Sequence, residues 1–550
     1  MLTQPDLVLV NGRVSTMAGA PGIPPEAEAV AIRSGRITAI GSSRDLAEQR
    51  GPATQVVDLG GRRVVPGLID SHVHFARAGL TWTNETRWEG LPSLALALAR
   101  ISSAAQAQPP GSWIRTMGGW HPDQFTERRP PTRADLDRAA PDHPVLVQYV
   151  YDWGLLNSTA MRVLRDLQDA PGGATSAAID RDPDGVPTGY VRGMAALRWL
   201  YDQLPRPTLE DQVRSTAAAS REFSRLGVTG LIDGGGTNSG PDTYHAVHEV
   251  CRRGQLTTRV RLTVHASAPG AEADEYPAYL RYVHPGVGDP RLRVLGLGEI
   301  VLFAVHDSEV RPPDLSPATV TQLRGIFQGF AEARWPLQIH ACRSETVECI
   351  LDLWEEIDRV AAIGPLRWSL VHAECLTTVT IERVRRLRAG VLTPSLFRFD
   401  GDKMLELWGE ERMAESPPLR RLLQLGIPFG GGTDAMRVAD YNPFLALQWY
   451  VTGRTMAGRS TRDQTNLLTR AEALHAYTRG AAWFSFEDHL RGSLEPGKVA
   501  DLAVLDRDLL TVPEEEMGQT SSDLTLLDGS VVWASPALQS AVPQVGAATT

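Results

Sequence analysis

The residues best suited to chemistry begin with two histidines, His72 and His74, one residue apart. They close the run Val64-Val65-Pro66-Gly67-Leu68-Ile69-Asp70-Ser71-His72-Val73-His74. On an extended strand alternate side chains share a face, so both imidazoles point the same way. Such a pair at the end of a buried strand suits a divalent cation. Two solvated surface histidines are the plainer reading of this stretch alone. Similar positions recur downstream: Glu299 in Gly296-Leu297-Gly298-Glu299-Ile300, His340 closing Leu337-Gln338-Ile339, His372 closing Ser369-Leu370-Val371, and Asp434 closing Gly430-Gly431-Gly432-Thr433. One histidine ending an apolar strand is commonly structural. Four histidines and two carboxylates at the ends of five strands make a ligand set, because a shared cation removes the cost of burying each charge unpaired.

The other histidines divide differently. His121, His143, His245, His248, His284, His306, His475 and His489 fall in expected loops or helices and read as solvated or capping residues. His265 ends a further apolar run and is expected either behind the ligands or facing substrate. Cys342, two residues after His340, reads as a small buried thiol before it reads as a group at the site.

The elements that must position these residues form an alternation. Short apolar strands are expected near Val228–Asp233, Arg259–His265, Leu292–Phe303, Leu337–His340, Trp368–His372, Gly390–Pro394 and Pro428–Asp434, after the one that carries His72. Amphipathic stretches such as Thr216–Leu226, Val320–Arg334, Glu345–Val360 and Thr380–Ala389 separate most of them. Eight strand–helix units predict an α/β chain folded as a (β/α)8 TIM barrel, whose chemistry sits at the C-terminal ends of the strands.

Both chain ends have a different texture. Leu7–Val10, Arg13–Ser15, Ala29–Ile32 and Ile37–Gly41 alternate as short strands, with turns at Asn11-Gly12 and Ser34-Gly35, and Ala500–Asp506 and Leu524–Trp533 resemble them. The expected organisation is residues 1–65 and 491–536 as two parts of a small β-sandwich, a barrel over 66–490, and a disordered tail over 537–550. More than 140 residues separate the first two barrel strands, which predicts an insertion at about 80–215 over the barrel mouth.

Composition sets the class. A chain of 550 residues with 42% hydrophobic and 22% charged residues can bury a large core. Net charge −10 argues against nucleic acid as a partner. No apolar run is long enough to span a membrane. The first residues lack a basic start followed by an apolar core, so no secretory signal is expected. Four cysteines without zinc-finger spacing fit a reducing cytoplasm. Lysine and arginine total 55, of which only Lys403 and Lys498 are lysine.

These residues, in this order, resemble the amidohydrolase superfamily of metal-dependent hydrolases, and more closely its YtcJ-like (type 3) branch, which includes N-substituted formamide deformylases. The resemblance covers nearly the whole chain. It rests on Pro66–His74, Gly118-Gly119-Trp120, Pro130-Pro131-Thr132, Leu136-Asp137, Pro144-Val145, Asn157-Ser158, Asp184–Gly189, Gly227-Val228-Thr229, Gly432-Thr433-Asp434 and Gly492–Leu502. It implies zinc or a similar divalent metal, one or two per chain, held by His72, His74, His340, His372 and Asp434. It also implies a metal-activated water as nucleophile, with Asp434 and His372 as the catalytic side chains and Asp434 taking the water's proton. That chemistry is physically consistent, since a divalent metal lowers the pKa of water from about 15.7 towards ~7.

Three departures shape the expectation. Many relatives bridge two metals with a carboxylated lysine on the fourth strand, and neither lysine here is placed for that. Glu299 is the available substitute, either bridging two metals or standing outside the ligands of a single one. Trp153 stands where the branch commonly has a histidine, which implies a more apolar, aromatic pocket in which Trp120 also takes part. Ala341-Cys342-Arg343 replaces the usual Gly-Asp after the fifth-strand histidine, so that Arg343 becomes a candidate charge at the mouth. The resemblance implies hydrolysis of a C–N bond in a small-molecule amide, formamide, carbamate or cyclic amide. A metal-dependent deaminase of an amidine-like or heterocyclic substrate is the alternative, and a non-catalytic binding protein a further one. A homodimer is compatible with this architecture, although no interface signal is visible.

Overall fold

The computed structural model describes residues 4–164, 179–236 and 241–542. At its centre lie eight parallel-running strands: β1 (Leu68–Val73), β2 (Val228–Asp233), β3 (Arg259–Val264), β4 (Leu292–Leu297), β5 (Gln338–Ala341), β6 (Ser369–His372), β7 (Gly390–Pro394) and β8 (Phe429–Gly432). The strands β1 to β4 pair in sequence order, and so do β5 to β8. Leu297 bridges Leu337 between the two groups. On the other side the Asp434 amide donates to the His72 carbonyl (2.9 Å) and the His74 amide to the Ala435 carbonyl (2.8 Å). The chain is therefore α/β.

Burial explains the strand sequences. β1, β2, β5, β6, β7 and β8 are buried along their whole length, as expected for parallel strands covered on both faces. The covering helices include Leu209–Arg225, Pro317–Glu332, Ser344–Asp358 and Thr378–Leu387. Thr208, Ser316 and Thr377 each cap a helix by accepting from the backbone amide three residues on, which offsets an otherwise unpaired donor. Among the described residues no helix is long and apolar enough to cross a membrane.

The two chain ends meet. Leu502–Leu505 pairs antiparallel with Arg63–Pro66, which lies parallel to Arg13–Ser15 in one six-stranded sheet. Leu7–Val10 instead joins Ala29–Arg33, Arg36–Gly41 and Gln55–Asp58 in a second sheet. The Asn11-Gly12 turn thus carries the chain between two sheets and closes no hairpin. Val14, Ile32, Val64 and Leu502 pack in one apolar cluster spanning both sheets.

Between β1 and β2 a five-stranded sheet includes Ile114–Met117, Val145–Tyr149 and Trp153–Leu156, with its own core around Trp88, Trp120 and Phe125. Of the tail expected over 537–550, Gln539–Ala541 make a short 3-10 turn and Leu538 is buried, while 543–550 lie outside the described residues.

Candidate metal centre

The strand ends bring six side chains to one place. His72 lies in β1, and His74 follows its last residue. Glu299 lies two residues past β4, His340 in β5, His372 at the end of β6, and Asp434 two residues past β8. All six are buried. His74 Nε2 is 3.0 Å from Asp434 Oδ1 and 3.5 Å from Glu299 Oε1. His72 Nε2 is 3.5 Å from Asp434 Oδ1 and 3.4 Å from Glu299 Oε2. His340 Nδ1 lies 3.4 Å from Glu299 Oε2, and His372 Nε2 lies 3.8 Å from it and 3.9 Å from Asp434 Oδ2.

Local backbone makes this convergence fit. His372 (φ 68°) and Asp434 (φ 59°) both lie in the left-handed region, which is costly away from glycine and recurs at functional sites. Gly234 comes so close to the His72 ring that a Cβ there would lie 2.7 Å from its Cε1. Asp70, fully buried beneath the site, accepts from the Thr433 hydroxyl (2.5 Å) and from the backbone amides of Thr433 and His72 (3.1 Å each), tying β1 to the segment that bears Asp434. Burial pushes the Asp70 carboxyl up to about 7 against those hydrogen bonds.

The electrostatics are those of an anion–imidazole cluster. Burial alone would raise Glu299, yet the charges of His72, His340 and His74 hold it well below the usual carboxylate range. Asp434 is likewise held low, as the adjacent His72 and His74 imidazoles and the charge of His372 overcome its burial. Burial works against charged His74, but Asp434 and Glu299 outweigh it and raise the imidazole. Among the described residues no arginine or lysine pairs with Glu299 or Asp434, and both ring nitrogens of His72 are buried without a hydrogen-bond partner. This donor set fits a divalent cation: His72, His74 and Asp434 form one cluster of ligand spacing, His72, Glu299 and His372 a second, and His340, Cys342 and His372 a third.

The sequence profile of the amidohydrolase family matches residues 55–533. The chain belongs to the amidohydrolase family. It is an enzyme of that family. The N-substituted formamide deformylase of Arthrobacter pascens is 25% identical over 95% of this chain and 97% of its own length. The protein YtcJ of Bacillus subtilis (strain 168) is 24% identical over 92% of this chain and 96% of its own length. The crystal structure of an uncharacterized metal-dependent hydrolase from Pyrococcus horikoshii OT3 superposes with a TM-score of 0.66 at 21% identity, covering 92% of this chain and 99% of the other, and so shares the fold.

In this amidohydrolase a cavity of about 700 Å³ opens onto the cluster, with His74, Glu299, His340, His372 and Asp434 in its wall. Trp120 and Trp153 do not line it. They build the core of the inserted sheet, where the Trp120 indole donates to the Gln148 carbonyl (2.8 Å) and Trp153 stacks on Tyr149. The insertion reaches the cavity through Val150, Tyr151, Asp152 and Arg198 instead. Arg343 is also turned away, donating to Glu345 and to the Glu309 carbonyl. His265 stands behind the site, with Nδ1 2.8 Å from the Ala266 carbonyl and burial lowering its pKa.

Four side chains near the cluster carried no signal that sequence reasoning used. His306 lies against His340 with ring centroids 4.1 Å apart, although its loop position read as solvated. Asp307 and Glu374 contact His340 and His372 from outside, and Asp70 sits inside the Pro66–His74 motif. Glu374, two residues after His372, was within reach of a search for carboxylates beside ligands. Asp307, 10 residues past the end of β4, was not.

Proposed function

We propose that this chain is a metal-dependent hydrolase that cleaves a carbon–nitrogen bond other than a peptide bond, in an amide, formamide, carbamate or cyclic amide. The observation that carries this reading is the convergence of His72, His74, Glu299, His340, His372 and Asp434 on one buried point beside a cavity of about 700 Å³. That volume suits a small molecule. The similarity to an N-substituted formamide deformylase supports formamides as the first substrates to try. The reading includes a single (β/α)8 barrel over 66–490 with its insertion at about 80–215, and a β-sandwich formed by 1–65 and 491–536.

The six convergent side chains would hold one or two divalent cations, zinc first. A bound cation supplies Lewis acidity, polarising a carbonyl and lowering the pKa of water from about 15.7 to ~7. Asp434, with Oδ1 occupied by His74 and Oδ2 turned towards His372, takes the proton of the attacking water and returns it to the leaving nitrogen. His372 Nε2 faces Asp434 Oδ2 at 3.9 Å. Asp70 and Thr433 fix the backbone from which Asp434 projects.

The test uses purified protein on a panel of N-substituted formamides, with formate and amine both measured. Activity must vanish on chelation and return with zinc. Turnover that survives a metal-free preparation would reject the reading. Ammonia release from amidine-like heterocycles, with the formamides untouched, would replace it by deamination.

A further inference from the structure

The four histidines present one nitrogen to the centre and one outward, and the outward partners differ. His74 Nδ1 is 3.0 Å from the Gly235 carbonyl, a neutral group. His72 Nδ1 has no hydrogen-bond partner among the described residues. On the other side, His340 Nε2 lies 3.0 Å from the Asp307 carbonyl and 3.2 Å from its Oδ1. His372 Nδ1 lies 3.6 Å from Glu374 Oε1. Asp307 and Glu374 are each 1% exposed. His74 is thus backed by a carbonyl and His72 by no hydrogen-bond partner, whereas His340 and His372 each have a buried carboxylate oxygen within 3.6 Å of the outward nitrogen.

The carboxylates differ in their remaining contacts. Asp307 also accepts from the Cys342 and Arg343 amides (3.0 and 2.9 Å) and from the Thr346 hydroxyl (2.5 Å), which locks it at the start of the Ser344–Asp358 helix. Glu374 anchors nothing comparable, since neither of its oxygens has a hydrogen-bond partner among the described residues. A buried carboxylate in that position is costly unless positive charge lies close by. An outward carboxylate fixes which imidazole nitrogen keeps its lone pair and makes it a stronger ligand.

We propose that Asp307 and Glu374 are positioning residues that make the Glu299–His340–His372 half the tighter of the site's two cation positions. This rests on the metal-dependent reading above. A proton on His340 Nε2, facing both the carbonyl and the carboxylate of Asp307, leaves Nδ1 free towards Glu299, and a proton on His372 Nδ1, 3.6 Å from Glu374 Oε1, leaves Nε2 free. Cys342 offers a competing account, because its Sγ lies 3.4 Å from His340 Nε2 and a thiolate there would be a ligand in its own right. Asp307 Oδ1 lies nearer that nitrogen, at 3.2 Å, which favours the carboxylate.

The experiment titrates zinc-loaded protein with a chelator and counts metal per chain by elemental mass spectrometry. Wild type is compared with Glu374→Gln, Glu374→Asp, Asp307→Asn, Cys342→Ser, His74→Asn and His340→Asn. Wild type should release zinc in two stages. Glu374→Gln and Asp307→Asn should weaken the last-released zinc by ~10–100-fold and leave the first stage unmoved. Glu374→Asp should restore part of the loss, which a merely structural role would not predict. Thermal unfolding of the metal-free proteins guards against misfolding, and Glu374→Gln alone suffices if Asp307→Asn loosens the helix. His74→Asn should keep the tight zinc and His340→Asn lose it. If wild type holds one zinc, that zinc must follow the same pattern. Retention that depends on Cys342, or that is lost in His74→Asn and kept in His340→Asn, overturns the proposal. A protein that binds no metal at all overturns the proposed function itself.

Discussion

His74 bridges a carboxylate and a carbonyl: its Nε2 is 3.0 Å from Asp434 Oδ1 and its Nδ1 3.0 Å from the Gly235 oxygen. With Nδ1–H donating to the Gly235 carbonyl, Nε2 is the nitrogen that would be left for a cation. Asp434 is thus held by several imidazoles while its second oxygen stays turned towards His372. Replacing Asp434 by Asn keeps the shape and removes the basicity. Turnover should fall by ~10²–10⁴-fold, the usual contribution of a positioned proton acceptor, with metal content largely kept. Parallel assays of kcat and metal per chain check this, and near-normal kcat would remove Asp434 from proton transfer.

Glu299 touches more of the histidines than any single imidazole does: it lies within 3.8 Å of His72, His74, His340 and His372. A carboxylate so placed is a bridge between two cations or the electrostatic anchor of one. Glu299→Gln should lower metal occupancy well before it affects the unfolding midpoint of the metal-free protein. Unchanged occupancy would put Glu299 outside the ligands.

Asp440 gives the fold a measurable pH dependence away from the ligands. Burial raises its carboxyl from 3.8 to about 6, against the Arg398 charge and the Asn442 amide. Its folded-state pKa lies above the unfolded value, so the folded protein binds the proton more tightly. That stabilisation is complete below pH ~4 and is lost as pH rises through about 6, an upper bound of about 3 kcal/mol. Asp440→Asn keeps the acceptor for Asn442 and should flatten the midpoint between pH 4 and 7 relative to wild type. Parallel curves for the two proteins would show that Asp440 titrates normally.

The strand ends were legible because residue type and position agree there. Val228–Asp233 and Gly390–Pro394 match the structure residue for residue. The ligand candidates stand out because a histidine or carboxylate at the buried end of an apolar run needs a partner that the strand itself does not supply. β4 stops at Leu297, short of the expected Phe303, because the chain turns there to bring Glu299 inward, and an apolar run does not mark that turn. The outward partners were hidden for a related reason: the contact of Asp307 with His340 is made by tertiary folding that brings a loop against strand β5. The aromatic residues of the insertion misled in the opposite sense. An inserted sheet needs its own core, and Trp120 supplies it by packing on Trp88 and Phe125. Trp120→Ala should therefore cost ~3–5 kcal/mol of stability while the folded fraction keeps its KM. A raised KM at normal stability would return Trp120 to the pocket.

Gly432 tests whether the approach of β8 to β1 is what places Asp434. A Cβ on Gly432 would lie 2.8 Å from the His72 backbone nitrogen and 2.9 Å from its Cβ, and backbone cannot swing aside as a side-chain tip can. The same approach carries the Asp434 amide to the His72 carbonyl. Gly432→Ala must push the strands apart, so it should cost ~1–3 kcal/mol and lower metal occupancy together. Gly325, exposed on the Pro317–Glu332 helix with nothing within 4 Å of an added Cβ, is the matched control. Gly325→Ala should gain up to ~1 kcal/mol from helix propensity and leave the metal untouched. Denaturant midpoints and metal per chain on the two variants separate the effects. If Gly432→Ala lost stability but kept full occupancy, Asp434 would be held by Asp70 and Thr433 rather than by the strand contact.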